Sequence, residues 1–117
     1  AAMSASKHQL DNLVAIIDYN KQQSYGSTYE VLDLEPFAAK WEAFGFATRE
    51  VDGHDVAALD RIFAALPFAP ARPTAIICHT VKGKGVGFAE NNLKWHHKSS
   101  IKDAENQELL RAIEAAE

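Results

Sequence analysis

Three stretches of the 117-residue chain carry groups suited to chemistry. In Asp18-Tyr19-Asn20-Lys21-Gln22, the Asn20 amide oxygen and the Gln22 main-chain carbonyl are hard donors, of the kind magnesium takes when it also holds phosphate oxygens. An Asp-x-Asn after a strand also makes an Asx turn or a helix cap, the commoner outcome when the pattern stands alone. The second stretch is His79-Thr80-Val81-Lys82-Gly83-Lys84-Gly85-Val86, followed by Lys94-Trp95-His96-His97-Lys98. Its glycines let backbone approach a ligand, and its lysines suit anionic groups. It has neither the third glycine and strand-to-helix context of a dinucleotide fingerprint nor Walker spacing, so both of those readings are rejected. His96 and His97 can donate hydrogen bonds or move protons near neutral pH, although composition alone favours a surface pair. The third is Cys78, which sits in an apolar run and reads as an inert buried thiol. His79 reads as a satisfied, partly buried histidine, His54 as a turn residue and His8 as solvent-exposed.

The elements that must position these groups follow from hydrophobic periodicity. Ala1 to His8 reads as the tail of a helix. Leu10 to Asp18 contains Leu13-Val14-Ala15-Ile16-Ile17, read as a central parallel strand, and Tyr19 to Thr28 leaves its carboxyl end as a polar loop. Phe37, Trp41 and Phe44 share one face of a helix over Pro36 to Phe44, with Gly45 just past its end, the arrangement expected of a Pro-started, Gly-stopped helix. Trp41, Phe37 and Phe44 read as core or interface aromatics. Phe46 to Val51 has a weaker strand pattern. Asp55 is placed to cap a helix carrying Val56, Leu59, Ile62, Phe63 and Leu66. Pro67, Pro70 and Pro73 precede Thr74-Ala75-Ile76-Ile77-Cys78, a run suited to a strand buried on both faces. A long loop from Lys82 to Ser100 leads to a helix from about Lys102 to Ala116 with Leu109, Leu110 and Ile113. Strands alternating with helices imply an α/β fold with an open, mainly parallel sheet and flanking helices. Ligands of such sheets bind beyond the carboxyl ends of the strands, where the first two stretches fall.

Composition bounds the classes of function. With 47% apolar and 24% charged residues the chain is that of a globular domain. Its net charge of −4 offers no footprint for nucleic acid or an anionic membrane. The longest apolar runs are five residues, against roughly 20 for a membrane span. A single cysteine excludes an intrachain disulfide and a four-cysteine zinc site, and the reducing cytoplasm is the simplest compartment. The first residues carry no secretory pattern. They resemble a helix entered halfway along, without a cap, which suggests the downstream part of a longer domain.

Taken in order, Lys7-His8-Gln9-Leu10-Asp11-Asn12-Leu13, Asp18 through Gly26, Glu50-Val51-Asp52-Gly53-His54-Asp55 and His79 through Gly85 resemble the thiamine-diphosphate-binding module of transketolases. The resemblance is closest to the N-terminal subunit of split, two-chain forms and covers nearly the whole chain, so residues 1–117 are expected to be a partial thiamine-diphosphate-binding module.

The resemblance implies that thiamine diphosphate is bound through Mg2+, with Asn20 and the Gln22 carbonyl as metal ligands. A third ligand, from a Gly-Asp-Gly motif, is expected in a segment upstream of Ala1. His96 matches the histidine that lies near the thiazolium and the substrate, and His97 stands where the family commonly has glycine. The implied reaction moves a two-carbon ketol unit from a ketose phosphate to an aldose phosphate, with the cofactor as carbanion stabiliser. His96 is then the catalytic group for hydrogen bonding and proton transfer. The implied partners are sugar phosphates and a pyrimidine-binding module or C-terminal subunit in a homo- or hetero-oligomer, and the isolated chain is expected to be inactive. The alternatives are a deoxyxylulose-phosphate-synthase-like enzyme, a transketolase for a modified sugar, a non-catalytic α/β interaction module and a mononucleotide-binding domain.

Overall fold

In a computed structural model, which describes residues 1–95 and 98–115, the elements run α1 (Ala2–Lys7), β1 (Val14–Tyr19), β2 (Gln22–Gln23), β3 (Gly26–Ser27), α2 (Thr28–Val31), α3 (Phe37–Ala43), β4 (Ala47–Asp52), α4 (Val56–Ala64), β5 (Thr74–His79), a 3-10 turn (Leu93–Trp95) and α5 (Asp103–Glu114). They form two compact units. The first comprises Ala1–Tyr19 and Leu34–Thr80, and the second Asn20–Asp33 and the described part of Val81–Glu117.

The first unit is built on a three-stranded sheet of order β1-β5-β4, parallel at both pairings. The register brings Tyr19, His79 and Asp52 into one row at the carboxyl edge. Alternation along β5 sends successive side chains to opposite faces. Ala75 joins Ala5 and Phe46, with Trp41, Ala15 and Ile17 packed against them. Ile76 and Cys78 join Ile62, with Val14, Val51, Leu59, Leu66 and Phe68. β5 is thus covered on both faces, as the apolar Thr74–Cys78 run requires.

Among the described residues β5 stands between β1 and β4, the place expected of β1. Ala75, Ile76 and Ile77 have no solvent exposure, whereas Ile16 of β1 is 59% exposed and β1 is an edge among the described residues. An apolar run reports which faces a strand can bury and not which strands bond to it, so the order of the sheet was not legible in Leu13–Ile17. α3 is shorter than the pattern suggests. Phe37 and Trp41 pack with ring centroids 6.3 Å apart, and Trp41 meets Phe46 at 5.0 Å. Phe44 falls at the C-cap and is 45% exposed. Gly45 follows at φ +92, a left-handed stop that favours glycine. Its place is also tight, since a Cβ there would meet Ser6 Cβ at 2.8 Å. α4 starts at the expected cap, with Asp55 Oδ1 accepting from Ala58 N at 2.9 Å.

In the second unit, the stretch read as a polar loop contains a two-residue antiparallel ribbon, Gln22 opposite Ser27 and Gln23 opposite Gly26. Strands this short fall below any period-2 pattern. The ribbon runs into α2, whose N-terminus is closed by a reciprocal cap. Ser27 Oγ accepts from Glu30 N at 3.2 Å, and the Glu30 carboxylate accepts from Ser27 N at 3.1 Å. The Ser27 hydroxyl, which donates to the Glu30 carboxylate at 2.8 Å, and then the Ser27 N–H hold that carboxyl below the usual carboxylate range. α5 covers Asp103–Glu114, near the expected bounds, with Leu110 and Ile113 about half exposed.

Candidate cofactor site

Asn20 and Gln22 come together in one turn. Gln22 N donates to Asn20 Oδ1 at 2.9 Å, so the Asx turn weighed in the sequence does form. An amide oxygen has two lone pairs, so this bond leaves Oδ1 a second acceptor direction and fixes which way the amide points. Between them, Lys21 adopts φ +64, a left-handed conformation that costs a non-glycine residue about 1–2 kcal/mol. Strain of this kind persists where surrounding contacts over-determine it. Here Thr28 N donates to Lys21 O at 2.9 Å, beside the Asx bond.

The ribbon also settles how the Gln22 carbonyl is used. Hydrogen-bonded and non-bonded pairs alternate along an antiparallel ladder. With Lys21 and Thr28 bonded, the next pair, Gln22 and Ser27, is non-bonded. Ser27 N donates instead to Glu30. The Gln22 carbonyl therefore turns away from the partner strand. In the same ribbon Gln22 Oε1 and Gln23 Nε2 are buried atoms that meet no partner among the described residues. Buried polar atoms without a partner call for an explanation such as a bound water or ion, and Trp41 Nε1, Thr48 Oγ1 and Thr74 Oγ1 are in the same state in the first unit. Two hard oxygens on one turn fit magnesium chemistry in kind. Among the described residues no cluster of three or more His, Cys, Asp or Glu side chains completes a metal centre.

The glycine and lysine stretch forms a compact turn. Lys84 N donates to Val81 O and Val86 N to Gly83 O, each at 3.1 Å. Gly83 has φ +78, and a Cβ there would lie 2.8 Å from Ala89 O. A cavity of about 280 Å³ is lined by Lys82, Lys84, Trp95 and Leu109 among others. Lys98 lies over the Trp95 ring at 4.1 Å and bonds Glu105. That bond lowers the Glu105 carboxyl from its ordinary range. His96 and His97 lie outside the described residues.

Sequence reasoning missed a set of contacts on the carboxyl edge of the sheet. His79 Nε2 and Glu50 Oε2 are 2.5 Å apart, and Tyr19 donates through its hydroxyl to Glu35 at 2.7 Å. The His79 and Tyr19 rings lie 5.7 Å apart. His79 is satisfied as expected, but its partner is a carboxylate two positions back from the aligned edge of β4. The period-2 register puts Glu50 on that face, a signal readable only once β4 and β5 are known to be neighbours. Cys78 is buried as expected. Burial first and the Asp18 charge second push its thiol up.

A parallel sheet in which β1 and β5 pass at their carboxyl ends into polar stretches defines an α/β domain of the open-sheet class. Residues 1–114 match the family described as transketolase, thiamine diphosphate binding domain, and the chain belongs to that family. It is 43% identical over 97 residues to one subunit of the apulose-4-phosphate transketolase of Phocaeicola vulgatus, a match covering 83% of this chain and 34% of the relative. It is 40% identical over 97 residues to a 6-deoxy-6-sulfo-D-fructose transketolase subunit of a Clostridium species, covering 83% and 35%. Among solved structures, transketolase from Campylobacter jejuni superposes with a TM-score of 0.82 at 26% identity, over 98% of this chain and 17% of that one. The chain thus spans about a third of the curated relatives it matches first. Among the described residues no helix is long and apolar enough to cross a membrane.

Proposed function

We propose that the chain is part of a thiamine-diphosphate-dependent transketolase of the split, two-chain kind, and that residues 1–117 are one portion of the cofactor-binding module. The Asn20–Gln22 turn carries this reading: two hard oxygens sit on one strained, doubly bonded turn in a chain matched by that family over residues 1–114. Asn20 Oδ1 and the main-chain oxygen of Gln22 are the donors this chain offers to Mg2+, and through it to the diphosphate. An acidic ligand from a Gly-Asp-Gly segment completes the set. Relatives that are themselves single subunits of transketolases support a second chain, which brings the pyrimidine-binding module.

When bound, thiamine diphosphate supplies the electron sink for ketol transfer from a ketose phosphate to an aldose phosphate. The chain's own part is to bind and orient. Asn20 and Gln22 hold the metal end, while Lys82 and Lys84 bring positive charge to a chain that is otherwise acidic. His96 hydrogen-bonds a substrate oxygen and moves a proton at its imidazole nitrogen. The single cysteine of these 117 residues leaves no disulfide to form within them, which supports a cytoplasmic setting.

The test is a ketol-transfer assay run in parallel on the 117-residue chain alone and on the full-length protein with its partner subunit, both with thiamine diphosphate and magnesium. Product forms only in the assembled enzyme. Robust transfer by the short chain alone overturns the dependence on the missing parts, and no transfer by the assembly overturns the activity.

A further inference from the structure

Both segments that carry the proposed cofactor contacts leave the first unit from residues bonded to each other. Tyr19 closes β1 and passes the chain to Asn20, and Thr80 follows β5 and passes it to Val81 and the lysine stretch. Thr80 is tied to β1 twice. Its hydroxyl donates to Asp18 Oδ1, and its backbone N–H donates to Tyr19 O at 3.4 Å. On the other side stands Gly53, just after β4, whose N–H donates to His79 O at 2.8 Å. A Cβ on Gly53 would lie 2.5 Å from Thr80 Cγ2 and 3.1 Å from Cys78 Cβ, so the turn after β4 closes directly on the Thr80 methyl. The two γ substituents of one threonine thus serve two strands, the hydroxyl β1 and the methyl β4. Serine supplies only the first and valine only the second.

We propose that Thr80, with Asp18 as its acceptor, is a positioning residue for the cofactor site, fixing the points from which Asn20 and the lysine stretch depart. The proposal rests on Asn20 and Gln22 being metal donors. Without the hydroxyl, the Asp18 carboxylate loses that bond across the β1–β5 edge, and Thr80 stays tied to β1 through its long backbone bond to Tyr19 O. The donor turn then starts from a looser base, which weakens a site whose ligands must be held in place before the metal arrives.

The test uses the full-length protein with its partner subunit. Thiamine diphosphate is titrated by calorimetry at a series of magnesium concentrations in the unsubstituted protein, Thr80→Val and Thr80→Ser, with circular dichroism as the check on folding. The magnesium concentration for half-maximal cofactor binding rises about tenfold in Thr80→Val, the loss expected for a hydrogen bond to a charged group, and stays within about twofold in Thr80→Ser. Should Thr80→Val not fold, Asp18→Ala, at an exposed position, gives the same rise. An unchanged magnesium requirement in the folded variant overturns the proposal, as does a loss of affinity equal at every magnesium concentration. Absence of magnesium-dependent binding in the unsubstituted protein overturns instead the reading of Asn20 and Gln22.

Discussion

Lys21 decides whether its neighbours can act together. At φ +64 it reverses the backbone so that Gln22 N–H reaches the Asn20 amide while its own carbonyl bonds Thr28. Residue type made the Asn20 amide visible as an oxygen donor, whereas the donor at Gln22 is a main-chain carbonyl that its type does not mark. Nothing in the type of Lys21 announced a left-handed backbone, since lysine has no special tolerance for it. His79 was legible as a satisfied histidine but Glu50 was not legible as its partner, because that pairing depends on which strands adjoin. Cys78 offers a test at this scale. Burial and the Asp18 carboxylate raise its thiol, so the folded state favours the protonated form. That contribution is complete below the ordinary thiol range and is lost as pH rises through the raised value. Alkylation of the folded protein is therefore slow at neutral pH and accelerates only in alkali or on unfolding, as a labelling rate measured against pH shows. Rapid labelling at neutral pH contradicts the buried placement.

Among the elements, those with strong local signals read true. α4 was announced by Asp55 and by apolar spacing, of which Leu59 and Ile62 pack as expected; Leu66 packs from beyond the helix end, and Val56 and Phe63 are exposed. Asp55→Ala removes the side-chain acceptor of Ala58 N and lowers stability by about 1 kcal/mol, the usual worth of an N-cap, measured as a shift in the urea midpoint. An unchanged midpoint denies the cap its role. The sheet shows the limit of the same reasoning. Leu13–Ile17 and Thr74–Cys78 are similar apolar runs, and only pairing separates them into an outer and an inner strand among the described residues. The β2–β3 ribbon was hidden for another reason: two residues a side leave no pattern, and its register comes from the Asx turn and the Ser27–Glu30 cap.

The chain as a whole spans 34% of the Phocaeicola vulgatus relative and 17% of the Campylobacter jejuni transketolase it superposes on. Family motifs dispersed from Lys7 to Gly85 made the membership readable, because each short pattern keeps its place relative to the strands. A complete metal centre was not readable in the same way, since under the proposed function this sequence contributes two oxygens and the remaining donor comes from elsewhere. The choice of sugar is likewise a property of the assembly, which includes a second chain under the proposed function. Asn20→Ala in the full-length protein with that partner, titrated with thiamine diphosphate by calorimetry with and without magnesium, tests the account most directly. Losing even an outer partner of a bound metal costs about 10–100-fold, so removal of the Asn20 oxygen weakens magnesium-supported binding at least about tenfold. Magnesium-dependent affinity equal to that of the unsubstituted protein would contradict the account.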